Sequence, residues 1–192
     1  MGVSHPGERL PAIPVEQQNP AQQQAVAALI AGSRRDARGP FIPMLRSPEM
    51  LDRAQRLGEY LRFRSVVPPK LRELAILATA RHWQQTYEWH AHVSIGLEAG
   101  LSEKSIDTLA LERADSALPS DEASVLRFVR ELHRQHAISD ALYAQAEALL
   151  GEDGVVELCG ICGYYAMLAM VMNVARTPVP EGTSLPFGPP WV

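Results

Sequence analysis

The fifteen prolines of this 192-residue chain fall mainly before Lys70 and after Thr177, which leaves 70–118 and 120–177 almost bare of helix breakers. A proline inside a helix removes a hydrogen bond and clashes with the preceding turn, at a cost of about 3 kcal/mol. The two proline-free stretches can therefore hold long helices. Composition points the same way, since Ala and Leu total 47 residues against 22 for Val and Ile. Such small or unbranched side chains lose little rotamer freedom in a helix. The expected class is all-α.

Local signals set the boundaries. Asn19-Pro20 opens an alanine and glutamine run that ends near Gly32, and Ser47-Pro48-Glu49 supplies an N-cap, an N1 proline and a first-turn acid. Helices are predicted near 20–32 and 48–64. Pro68-Pro69 starts the next, the pattern breaks at 84–87, and Gly100 closes the helix that follows. Ser102, Ser120 and Ser139 are placed as N-caps of later helices, and Asp153-Gly154 precedes a helical run instead of making a hairpin. This divides the chain into a proline-rich arm at 1–19, a helical domain at 20–177 and a proline-rich tail at 178–192.

A net charge of −4 and a pI near 5.9 leave no electrostatic footprint for nucleic acid. The first twenty residues hold four prolines and no apolar segment of signal-peptide length, so a cytoplasmic protein is expected. The uncharged run 158–172 is shorter than the roughly 20 residues of a membrane span and is bracketed by Glu157 and Asn173. It reads as a core or interface helix, not as a membrane segment.

Chemistry concentrates between Arg72 and Ser102. The first helix there is apolar on nearly every face, yet Glu73 shares a face with Leu77 and Ala80, so its carboxylate must be paired, solvated in a cavity or raised in pKa. On the next helix Glu88 and His92 stand at i and i+4, within reach of each other. By spacing alone this is also the pattern of an ordinary surface pair.

The order acid, helix break, acid, histidine, glycine stop resembles the carboxymuconolactone decarboxylase family and its alkyl hydroperoxidase D-like relatives. Glu73 matches the family's helix glutamate, His92 the histidine eight positions before Gly100, and Tyr87-Glu88-Trp89 a segment of the decarboxylase-like branch. The similarity is read from about Pro40 through PVPEG at 178–182 and includes GYYAMLAMVMNVA. It implies a single-domain bundle of about six to eight helices that assembles as a homo-oligomer, a dimer, trimer or hexamer. The hydroperoxidase branch carries a Cys-x-x-Cys where this chain has Gln85 and Glu88, which excludes thiol peroxidation at that position.

The implied activity is decarboxylation of a small unsaturated lactone or related anionic acid. The substrate's own conjugation accepts the electrons, so no cofactor is called for. His92 is then general acid/base, Glu88 orients and tunes it, and Glu73 is a second relay group or the partner of a nearby arginine. Arg62, Arg64 and Arg81 are candidate carboxylate anchors, and Trp83, Tyr87 and Trp89 candidate pocket walls.

Two rivals use other residues. Cys159 and Cys162 suggest a thiol oxidoreductase, but their apolar surroundings predict buried, inert thiols. His82, His90 and His92 with Glu88 suggest a metal, against which His90 and His92 diverge around the helix and no paired metal motif occurs. No metal is expected. His133 and His136 are placed near the last turn of a helix, where cations are favoured. A third possibility is an oligomeric binding module without catalysis, in which acid and histidine would face bulk solvent or satisfy each other with no cavity beside them.

Overall fold

The structure is a computed structural model that describes residues 7–32 and 36–191. Residues 1–6 of the predicted arm and residue 192 of the tail lie outside the described part. Eight α-helices and no strand occur among the described residues: α1 (Pro20–Ala31), α2 (Phe41–Met44), α3 (Pro48–Phe63), α4 (Pro69–His82), α5 (Thr86–Glu98), α6 (Glu103–Ala110), α7 (Ser120–Gln135) and α8 (Asp140–Ala175). The short α2 was not foreseen, because Pro40 and Pro43 mask four helical residues. Ser120 is not a cap: Pro119 at φ −52° and ψ 150° holds the extended cap geometry itself, and Ser120 takes the first helical place.

Helix α4 is the axis of the bundle. Leu74, Ala75, Ile76, Leu77 and Ala80 are all fully buried, and α5, α7 and α8 pack around the helix. Burying a leucine or isoleucine side chain contributes about 1.5–3 kcal/mol, so α4 organises much of the core. Its N-terminus is tied to that of α7 by Lys70 Nζ, 2.7 Å from Asp121 Oδ2 and 3.3 Å from Glu122 Oε1.

The predicted break falls where expected. Gln84 adopts φ +49°, a left-handed conformation that ends α4 and turns the chain into α5. Gln85 then caps α5, its Oε1 accepting from the backbone N–H of Tyr87 at 2.7 Å and of Glu88 at 3.2 Å. Its Nε2 donates to Asn173 Oδ1 at 2.9 Å, and Asn173 Nδ2 donates to Trp83 O at 2.9 Å, so α8 clamps the turn.

Helix α8 is longer than the apolar run 158–172 suggested. By length and composition it could cross a membrane, but its most apolar 18-residue window is 56% buried inside the bundle. Gly151, at φ +72° and ψ 171°, breaks it into two pieces. Asp153-Gly154 lies within the second piece.

Gly96 sets the distance between α4 and α5. A Cβ there would lie 3.0 Å from Leu101 Cδ1, 3.2 Å from Leu77 Cδ1 and 3.8 Å from Glu73 Cβ. The bare backbone thus brings α5 against α4 one turn beyond His92. Replacing Gly96 with Val should cost about 1–3 kcal/mol through overpacking. Urea unfolding checks this, and a variant as stable as the parent would show that α5 is free to move away from α4.

Candidate functional site

Among the described residues three carboxylates are buried in the bundle, and their partners distinguish them. Glu122 is satisfied, accepting from Ser105 Oγ at 2.6 Å and lying beside Lys70. Glu73, only 1% exposed, places Oε2 2.7 Å from His92 Nδ1, and its Oε1 stands 3.9 Å from Arg72 Nε. With a carboxylate oxygen as acceptor, Nδ1 carries the hydrogen and Nε2 is the nitrogen left for other chemistry. The Tyr165 ring meets the imidazole edge-on, centroids 5.2 Å apart.

Glu88 has no such company. It is 3% exposed, and its Oε2 is buried without a hydrogen-bond partner. It stands in the first turn of α5, where the helix dipole favours a negative charge by about 0.3–1 kcal/mol. Desolvating a lone carboxylate costs several kcal/mol, so burial wins. Burial holds the Glu88 carboxyl well above the usual carboxylate range. Burial therefore favours the protonated form of this carboxyl.

This corrects the expected pairing. Glu88 and His92 share a helix face, but Glu73, across the turn, holds the ring. The i,i+4 contact fails because the Nδ1 edge of the imidazole turns toward α4, where a buried carboxylate needs a donor more than Glu88, whose burial favours its protonated form.

Glu88 and His92 both line an open cavity of about 890 Å³, together with Tyr87, Trp89, Tyr165 and Met172. Arg38 and Arg62 stand on its border, Arg38 paired with Asp36 at 3.3 Å and Arg62 stacked on the Phe63 ring. Among the expected anchors, Arg62 reaches the cavity and the other two do not. Arg64 lies over the Tyr60 ring. Arg81 is turned away, its Nε donating to Ala110 O at 2.9 Å and its Nη2 3.0 Å from Glu112. Trp83 is also outside the cavity lining, with a buried and unpaired indole Nε1. Tyr165 and Arg38 were missed by sequence reasoning. Tyr165 lay in the GYYAM run, read only as apolar core, and Arg38 in a loop without periodicity.

The rival residues sit elsewhere. Cys162 is buried, which pushes its thiol up to about 12, whereas Cys159 is exposed, contrary to the burial expected of both. Cys159 falls at an exposed position of α8, between the buried Leu158 and the half-buried Gly160. Neither lines the cavity. His82 stacks on His133 at 4.7 Å, and burial pushes His133 down to about 4, so it is no cation at the end of α7 as its position suggested. His90 is exposed at the cavity rim. No group of three or more metal-ligating side chains occurs among the described residues.

A carboxyl that stays protonated in the fold but ionises in the unfolded chain lowers stability as pH rises above its ordinary value of 4.5, by about 1.4 kcal/mol per pH unit up to the folded pKa. Glu88→Gln should remove this penalty. The variant is expected to gain stability over the parent at pH 8 relative to pH 5 in urea unfolding. An identical pH dependence in both proteins would show Glu88 to be ionised in the fold.

No curated protein matches the chain. Residues 48–131, from the start of α3 to within α7, match the family model described as Carboxymuconolactone decarboxylase family. The match is narrower than the resemblance read from about 40 to 182, and it contains Glu73, Glu88 and His92. The segment that carries Glu73, Glu88 and His92 is thus similar to the carboxymuconolactone decarboxylase family.

Proposed function

We propose that the chain is an acid/base enzyme of the decarboxylase-like type, acting without a cofactor on a small unsaturated lactone or related carboxylic acid. The observation that carries this reading is the coexistence, on one cavity, of an imidazole held by a buried carboxylate and a buried carboxyl with no hydrogen-bond partner, whose burial favours its protonated form. Two titratable groups with opposite tasks in one site are the arrangement that acid/base chemistry uses.

In the reaction, the bond between the ring carbon and the substrate carboxylate breaks and carbon dioxide leaves. The electron pair passes into the conjugated lactone carbonyl, whose developing negative charge Glu88 meets as a hydrogen-bond donor. His92, having taken a proton from solvent on Nε2, then delivers it to carbon and returns to the neutral ring, with Glu73 stabilising the imidazolium through Nδ1–H. A protonated Glu88 also eases the repulsion that two ionised carboxylates would exert on an anionic substrate. Arg62 and Arg38 supply positive charge at the border.

The protomer also exposes apolar side chains on α8, among them Val156 at 71% and Val174 at 62%, and Phe63 on α3 at 50%. These faces support a homo-oligomer.

The thiol alternative places chemistry on Cys159 and Cys162. Their absence from the cavity lining and the raised pKa of both favour the acid/base reading.

A panel of small unsaturated lactone acids and keto acids, assayed for carbon dioxide release, tests the reading. His92→Gln and Glu88→Gln should each reduce kcat/KM about 100-fold or more, as general acid/base groups do. Replacement of both cysteines by alanine should leave turnover unchanged. Peroxide-dependent turnover lost in the cysteine variant would transfer the activity to the thiols.

A further inference from the structure

One wall of the cavity comes from the chain beyond α8. Pro180, Ser184 and Leu185 line it. Among the described residues, the backbone hydrogen bond of this segment is Thr183 N–H to Pro180 O at 3.3 Å, internal to its own turn. The Thr183 hydroxyl donates to the same carbonyl. The segment is held to the bundle through side chains.

The principal anchor is Phe187. Its ring meets Trp89 edge-to-face with centroids 5.3 Å apart, and the Arg81 guanidinium lies 4.6 Å from its centroid. Trp89 is itself 3% exposed and lines the cavity. Arg81 is fixed in turn by Ala110 O and Glu112, so its guanidinium cannot swing away without giving up a hydrogen bond and an ion pair. Aromatic and cation–π contacts of this kind are individually modest. A wall built on them can open while the bundle stays folded.

We propose that residues 180–187 are a side-chain-latched wall that decides which ligands the acid–base cavity admits, with Leu185 setting its width and Phe187 and Arg81 acting as positioning residues. The occupant is a small acid whose apolar edge packs against Leu185. Arg81, which the sequence offered as a substrate anchor, serves the site at one remove. The proposal takes from the functional reading only the acid used as probe. Its failure is separable, since a protein that turns over no lactone still reports on the wall through Trp89.

The test uses full-length protein with Trp83→Phe and Trp191→Phe, so that Trp89 is the sole tryptophan and is excited selectively over the tyrosines. Phe187→Ala should raise acrylamide quenching of Trp89 about threefold with circular dichroism unchanged, and Arg81→Met should raise it less. Leu185→Ala, titrated calorimetrically with benzoate and 2-naphthoate, should shift the ratio of their dissociation constants about tenfold toward the larger acid. Leu185→Trp should shift it the other way. A Trp89 that stays shielded in folded Phe187→Ala would overturn the proposal. So would an unchanged ratio in both Leu185 variants, or a Leu185→Ala protein that binds neither acid.

Discussion

The 2.7 Å bond between Glu73 Oε2 and His92 Nδ1 is the contact on which the site depends. Helix α4 is buried on almost every face, and a carboxylate inside it must find a donor. The nearest comes from α5, and everything that brings α5 close serves that bond. Gln84 turns the chain through a left-handed residue, Gln85 caps the new helix while gripping Asn173, and Gly96 lets the two helices touch. Remove any of these and the imidazole loses its register with the acid.

The same packing gives Glu88 the opposite character. Glu73 and Glu122 are buried with donors, whereas Glu88 Oε2 is buried beside none. Burial with no donor beside it favours the protonated form of Glu88. One bundle thus presents, on the same cavity wall, a ring steadied by a carboxylate and a carboxyl left without a partner.

Much of this was legible in the sequence, and the limits have physical causes. Proline positions and the caps at Asn19, Ser102 and Gly100 report backbone constraints local to the chain, and they located the helices. The acid and imidazole residues were found because a glutamate among leucines is anomalous wherever it folds. Their pairing was misread because helical spacing brings Glu88 and His92 near each other but says nothing of which edge of a ring faces a neighbouring helix. Arg81 was misread for a related reason, since a cation beside a predicted site does not reveal that Ala110 and Glu112 hold it elsewhere. Tyr165, Leu185 and Phe187 come from segments distant in sequence, and only the folded chain brings them to the cavity.

Which nitrogen of His92 faces Glu73 is read directly by ¹⁵N–¹H correlation spectra of the histidine-labelled protein. In the neutral ring Nδ1 should carry the hydrogen and Nε2 the lone pair, and Glu73→Leu, which removes the acceptor, should abolish the preference. A neutral His92 with its hydrogen on Nε2 would contradict the central claim, because the nitrogen facing Glu73 would then have no hydrogen to donate.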